Sequence, residues 1–296
     1  MGRFDNNQSE SGPCILCEKH MQLRISHVLP KFASDHIIRT SATGFIRSHE
    51  NPNVPKQDGD KKRLLCEGCE AILSKYESWF SSQVFKPYMS SKIIDIEYGE
   101  YLKSFAASLA IRTLAAHDFK ADSGRDLNRY ILRAVRIWRR LLLEGVQGDQ
   151  FEHHLIVFDY IKNTNIRTAG HLNMYLMRSI SYDVLYQEKS EGVIVYSKLP
   201  GFLFLSAINP KKLRGFKGTK IFKKGTLKSR ESNYVIGEGI MEYIIEKVEK
   251  MSLIKLSDGQ AKKLAGRLED LTSRNPKKLL ASDTARASFY DERLRK

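Results

Sequence analysis

Cys14-Ile15-Leu16-Cys17, Ser26-His27-Val28-Leu29-Pro30 and Cys66-Glu67-Gly68-Cys69 hold every cysteine of this 296-residue chain and a histidine set between the two pairs. A Cys-x-x-Cys bend offers two thiolates from one tight turn, and two such bends complete a tetrahedral four-sulfur site of the kind that suits Zn²⁺. The 48 residues between the pairs exceed the span of a simple zinc ribbon, so a metal here closes a sizeable loop. Four cysteines buried as small hydrophobes are the alternative, but that reading gives no reason for the paired spacing. A structural zinc on Cys14, Cys17, Cys66 and Cys69 is therefore expected.

The order Cys-x-x-Cys, His-Val-Leu-Pro, Leu-Cys-x-x-Cys resembles the zinc-supported HNH (His-Me finger) endonucleases over roughly residues 13–77. The stretch from Asn51 to Tyr88, with Gln57-Asp58-Gly59 and Ser74-Lys75-Tyr76-Glu77, is also similar to a group of bacterial proteins of no assigned function. The HNH resemblance implies a β-hairpin and a helix around one active site. In it a histidine ends the first strand and activates water, a divalent ion (Mg²⁺ or Mn²⁺) stabilises the scissile phosphate, and zinc pins the hairpin to the helix. It also implies DNA as substrate and, in bacteria, a role in defence against phage or mobile elements. Placed residue by residue, His27 falls on the general-base histidine. Ser26 falls where a metal-binding Asp or His is usual, Lys61 near the middle Asn, and Glu70 on the last His of the name. One signature residue of the three is kept. Glu70, Ser74 and Glu77 would share a helix face at i, i+4 and i+7. That face either rebuilds a Mg²⁺ or Mn²⁺ site with Glu70 and Glu77 as hard oxygen ligands, or is ordinary solvated surface. His27 either takes a proton from water or is a packed histidine between apolar neighbours.

Composition narrows the class. With 42% hydrophobic residues the chain can bury one large domain or two smaller ones. Its apolar runs fall short of the ~18 residues that read as a membrane span. Residues 1–12 are polar, without a signal-peptide core, and read as a flexible tail. Cysteines in metal-type pairs fit a reducing cytoplasm. The net charge of +15 is unevenly spread: residues 1–100 hold 13 basic and 13 acidic residues, leaving 36 basic and 21 acidic for residues 101–296. Any salt-dependent grip on a polyanion therefore belongs to the second part.

The expected fold class is α+β. A zinc-supported ββα (treble-clef or HNH-like) module over 13–90 precedes a larger, mostly helical, basic domain over 91–296 with a small antiparallel sheet. A hairpin is expected from Cys14 to Leu29, then an inserted loop over 33–60 with a short helix at Lys31–Ile38. A helix from Cys66 to Val84 follows, with Trp79 and Phe80 as core anchors and Pro87 as its stop. Helical spacing marks Tyr101–His117 and Leu127–Leu143. The polar side of the second carries Arg125, Arg129, Arg133, Arg136 and Arg140, a basic stripe with no acid between Asp126 and Glu144. It is either a phosphate-contacting face or a solvated one.

Strands are read at His154–Phe158, Asn173–Ile180, Val193–Lys198 and Phe202–Ile208, the last two joined by a turn at Leu199-Pro200-Gly201. Residues 211–230 hold nine basic residues and no acid, among them Lys220, Lys223 and Lys224, interleaved with Phe216 and Phe222. The segment is either a flexible strand-binding loop or a solvated hairpin. Helices at Glu238–Met251 and from a Ser257 N-cap to Leu271 precede an amphipathic tail over 275–296, read as a docking element. Three functions stay open: an HNH-like metal-dependent endonuclease, a non-catalytic zinc-containing nucleic-acid-binding protein, and a subunit or homo-oligomer whose basic face docks an acidic protein.

Overall fold

Pro200-Gly201 joins strands β8 (Gly192–Leu199) and β9 (Phe202–Ile208) as the sequence leads one to expect. Gly201 takes φ +73°, and a Cβ there would lie 3.0 Å from Met89 Cε, so both conformation and space call for glycine. With β6 (Glu152–Val157) and β7 (Ser181–Gln187) these strands form an antiparallel sheet in the order β6-β9-β8-β7. Every residue of β8 and β9 is buried, so both faces of the sheet are covered. One face presents Val193, Val195, Leu199, Phe202, Phe204 and Ile208 to helices α4 (Glu100–Ala116) and α5 (Arg125–Glu144). The other presents Ile194, Tyr196, Leu203 and Leu205 to α6 (Leu172–Arg178) and α7 (Ile240–Ser252). The structure, a computed structural model, describes residues 10–117, 125–146, 148, 151–164, 170–187, 192–208, 215–228, 237 and 239–294.

Helix α4 is apolar or small on nearly all sides and is buried along most of its length, as befits the central helix of a core. It separates the sheet from the N-terminal elements: β1 (Ser11–Pro13), β2 (His20–Gln22), β3 (Arg24–His27), α1 (Lys31–Arg39), β4 (Lys61–Leu65) and α2 (Glu67–Trp79). Phe80 stacks on Phe105 of α4 at 4.3 Å, with Phe202 and Phe204 edge-on to it at 5.3 and 5.4 Å. Aromatic contacts of this kind add to burial. The cores are continuous across residue 90: Cys14, Leu65 and Leu73 share a cluster with Ala110, Trp138 and Val195.

Several expectations need correction. The stretch Cys14–Leu29 is not one hairpin. β1 and β2 pair around the first cysteine pair, while β3 pairs with β4 across the insert. Of the tail expected over 1–12, residues 1–9 lie outside the described residues, and Ser11–Pro13 form β1. Pro87 does not stop the helix that starts at Glu67. A π-helical turn (Phe80–Phe85) leads directly into α3 (Lys86–Ser91), and the helix ends at Lys92 in the left-handed region. The wider π turn relieves the clash of the proline ring with the preceding turn. Trp79 is only half-buried, while Phe80 is fully buried.

Asn173–Ile180 is no strand. Asn173–Arg178 belong to α6, whose first-turn N–H groups of Asn173 and Met174 donate to the Asp291 carboxylate at 2.7 and 3.0 Å. The cap comes from α10 (Asp283–Leu294), so the tail docks on its own chain. The segment 211–230, outside the described residues at 211–214 and 229–230, is tethered where it is described. Residues 219–221 pair with the edge of β6, and β10 (Gly225–Lys228) pairs with β5 (Asp95–Tyr98). α8 (Asp258–Arg274) and α9 (Pro276–Leu280) complete the fold. No helix among the described residues is long and apolar enough to cross a membrane.

Candidate functional site

The β1–β2 turn folds tightly because Cys14 N donates to Lys19 O at 3.0 Å and Glu18 N to Cys14 O at 2.9 Å, with Glu18 in the left-handed region. Cys66 is the N-cap of α2 and Cys69 lies in its first turn. Ile15 N donates to Leu64 O at 3.0 Å, which sets the first turn against the end of β4. The four Sγ atoms therefore converge within 4.8 Å of one another, with Cys17 Sγ 3.9 Å from Cys66 Sγ and all four thiols free. Zn–S bonds of about 2.3 Å place tetrahedral sulfurs roughly 3.8 Å apart, so four thiols at this spacing can hold a metal such as zinc. Burial raises the Cys14 thiol, but hydrogen bonds from the backbone of Cys17, Cys66 and Leu16 outweigh it and bring the group down to about 7. Burial pushes Cys17 and Cys69 up.

Arg139, on α5, locks this turn. Its Nε donates to Ile15 O at 2.8 Å and its Nη1 pairs with Glu18. On the same helix Arg129, Arg133, Arg136 and Arg140 are exposed, and Arg140 pairs with its neighbour Glu144 at 3.3 Å. The stripe thus runs along the helix that clamps the cysteine turn. Lys220 and Lys223 are engaged with acids, Lys220 with Glu152 at 2.5 Å and Lys223 with Glu100 at 3.4 Å, while Lys224 is exposed.

His27 ends β3 opposite Lys61 of β4. Its Nε2 lies 2.7 Å from Asp58 Oδ1, and Asp58 also pairs with Lys61 and accepts from Gly59 N at 2.8 Å. Burial raises the Asp58 carboxyl, but Lys61 and His27 overcome this and hold it below the ordinary carboxylate range. Below His27, Arg112 of α4 donates to the His27 carbonyl at 3.1 Å and pairs with Glu77 at 2.6 Å. The guanidinium ties β3, α2 and α4 together. Ser26 is buried and donates to Arg24 O at 3.4 Å. Glu70 is half-buried, and its Oε1 is buried with no hydrogen-bond partner; Ser74, between Glu70 and Glu77 on the helix, is exposed.

Among the described residues, only the four cysteines form a group of three or more His, Cys, Asp or Glu ligands. His27, Glu70 and Glu77 are not brought together as one. Sequence pattern assigns no role to Asp58, Arg112 or Arg139. Arg112 leaves a trace there, as a charge within the apolar run Leu109–Ala116 of α4, and Asp58 lies in Gln57-Asp58-Gly59. Comparison with protein-family models, with curated proteins and with solved structures finds no match.

Proposed function

We propose that this chain is an HNH-like nuclease acting on DNA, in which Cys14, Cys17, Cys66 and Cys69 hold a structural zinc and His27 is the general base. The observation that carries the reading is the His27–Asp58 pair at the end of β3. β3 pairs antiparallel with β4 across an insert that contains α1, and β4 leads through Cys66 into α2, which carries Cys69 in its first turn; two paired strands followed by a helix support this reading. With Nε2 held by the carboxylate, Nδ1 is the nitrogen available to accept a proton from water, and Asp58 steadies the imidazolium that forms. Lys61, paired with Asp58, supplies positive charge beside the ring for a bound phosphate. The exposed arginines of α5 supply sequence-independent affinity for the backbone.

The carboxylates do not fit a second, catalytic Mg²⁺ or Mn²⁺. Asp58 is taken by Lys61 and His27, Glu77 by Arg112, and Glu70 belongs to no group of three or more ligands among the described residues. No step is therefore assigned to such an ion. The same pairings favour a second reading: a zinc-containing nucleic-acid-binding module without cleavage. The experiment is to incubate the protein with single- and double-stranded DNA and RNA, with EDTA, Mg²⁺ or Mn²⁺, beside His27→Ala. Cleavage that falls about 10²-fold or more in the variant, with binding kept, supports the nuclease. Binding without cleavage by the wild type supports the second reading.

A further inference from the structure

A concavity of about 140 Å³ lies between the insert that joins β3 to β4 and one face of α8. It is small beside the ~300–1,000 Å³ of drug-sized sites. Phe45, Arg47 and Pro55 line it from the insert; Gln260, Lys263, Leu264 and Arg267 line it from the helix. Three cations thus face one small space, and no acid lines it. The guanidinium carbons of Arg47 and Arg267 each lie 5.0 Å from the centre of the Phe45 ring. Arg47 Nη1 donates to Pro52 O, and its Nη2 donates to Gln260 Oε1 at 3.3 Å. Burial and the nearby Arg267 both lower the Arg47 guanidinium, with no carboxylate opposing them. Lys263 and Arg267, four residues apart on α8, repel each other as well.

The walls are fixed independently of any ligand. Ser257 N, at the N-cap of α8, donates to Asn53 Oδ1 at 2.8 Å. Ile46 and Lys56 exchange backbone hydrogen bonds of 2.9 and 2.8 Å across the insert. Fixed walls, a shared aromatic ring and converging uncompensated cations describe a preformed receptor for an anion.

We propose that Arg47, Lys263 and Arg267 form a binding site for a phosphoryl group, supplied either by a free phosphate or nucleotide or by a nucleic-acid backbone. Planar guanidiniums suit paired phosphate oxygens, and the lysine adds a point charge. The cavity admits the phosphoryl group itself, leaving the rest of a ligand outside. The insert also carries Asp58, three residues beyond Pro55, so an occupant is held on the segment that ends at His27's partner. The site does not depend on the nuclease reading, and its test contains no cleavage step.

The test titrates the full-length protein with inorganic phosphate against chloride of equal ionic strength, by calorimetry and thermal shift. In a second arm, short oligonucleotides with and without a terminal phosphate are compared. Lys263→Gln and Arg267→Gln, both at exposed helix positions, should each weaken phosphate binding roughly tenfold. They should leave the circular dichroism and the melting temperature in chloride unchanged. Arg47→Gln should do the same to binding even if it also loosens the insert. Phosphate binding that is sensitive to these variants supports the site with a free phosphoryl ligand. Sensitivity in the oligonucleotide arm alone supports it with the backbone as source. No binding in either arm, or affinity unchanged in both helix variants, overturns it.

Discussion

Lowering the pH from 7.5 to 5.0 should destabilise this protein through two adjacent buried histidines. His153 is 1% exposed and its Nδ1 lies 2.7 Å from Ser206 Oγ; burial, with Lys103 and His154 adding to it, lowers the group to about 3. His154 is 3% exposed and its Nδ1 lies 2.9 Å from Thr219 Oγ1; burial lowers it to about 4, with Glu152 opposing and Lys220 assisting. Both rings are therefore neutral in the folded protein at pH 5, while in the unfolded chain they take up protons below about 6.5. Stability from each is fully present above that value and is lost as the pH falls towards the folded-state value. Integrated to pH 5.0, each histidine costs about 2 kcal/mol, or about 4 kcal/mol for the pair.

The assay is urea unfolding at several pH values for the wild type and for a His153→Asn, His154→Asn double variant, whose amides can replace Nδ1. Histidines beside carboxylates, such as His27, His36 and His117, are common to both proteins and cancel in the comparison. The wild type should lose about 4 kcal/mol more than the variant over this range. PH dependences that agree to within about 1 kcal/mol would refute the assignment of two neutral buried rings.

The purified protein should carry one zinc per chain by elemental analysis; Cys66→Ser should release it and unfold the N-terminal elements, because metal binding in such sites is folding energy. If the nuclease reading holds, Asp58→Asn should lower cleavage while leaving nucleic-acid binding in a filter or anisotropy assay unchanged, since the carboxylate is paired with His27 at 2.7 Å. Charge reversal at Arg129, Arg133 and Arg136 should weaken binding to all sequences alike. It should reduce the salt slope by up to about 3 if all three contact phosphates; an unchanged slope would leave the stripe as solvated surface. Phe80→Ala should cost about 3–5 kcal/mol in a denaturant titration, since it empties the centre of a fully buried aromatic cluster.

What could be read from the sequence is what depends on near neighbours in the chain. The Cys-x-x-Cys pairs announce their own convergence, because each bend presents two thiols and only a shared site uses all four. Helices α4 and α5 follow from apolar spacing, and β8 and β9 from two apolar runs around Pro200-Gly201. Contacts between distant residues decided the rest. Asn173–Ile180 has strand-like composition, yet its first N–H groups are capped by Asp291, 118 residues away, and a helix results. A π turn carries a helix through Pro87, which local rules read as a stop. His27 could be picked out by its motif, but its partner Asp58 lies 31 residues on and is brought to it only when the insert closes on β4. Arg47 and Arg267 are 220 positions apart and look like ordinary surface charges until the insert and α8 turn them onto the same ring. Periodicity and ligand spacing are local properties of a chain; a shared cap, a hydrogen-bonded pair and a converging set of charges exist only once the backbone has closed.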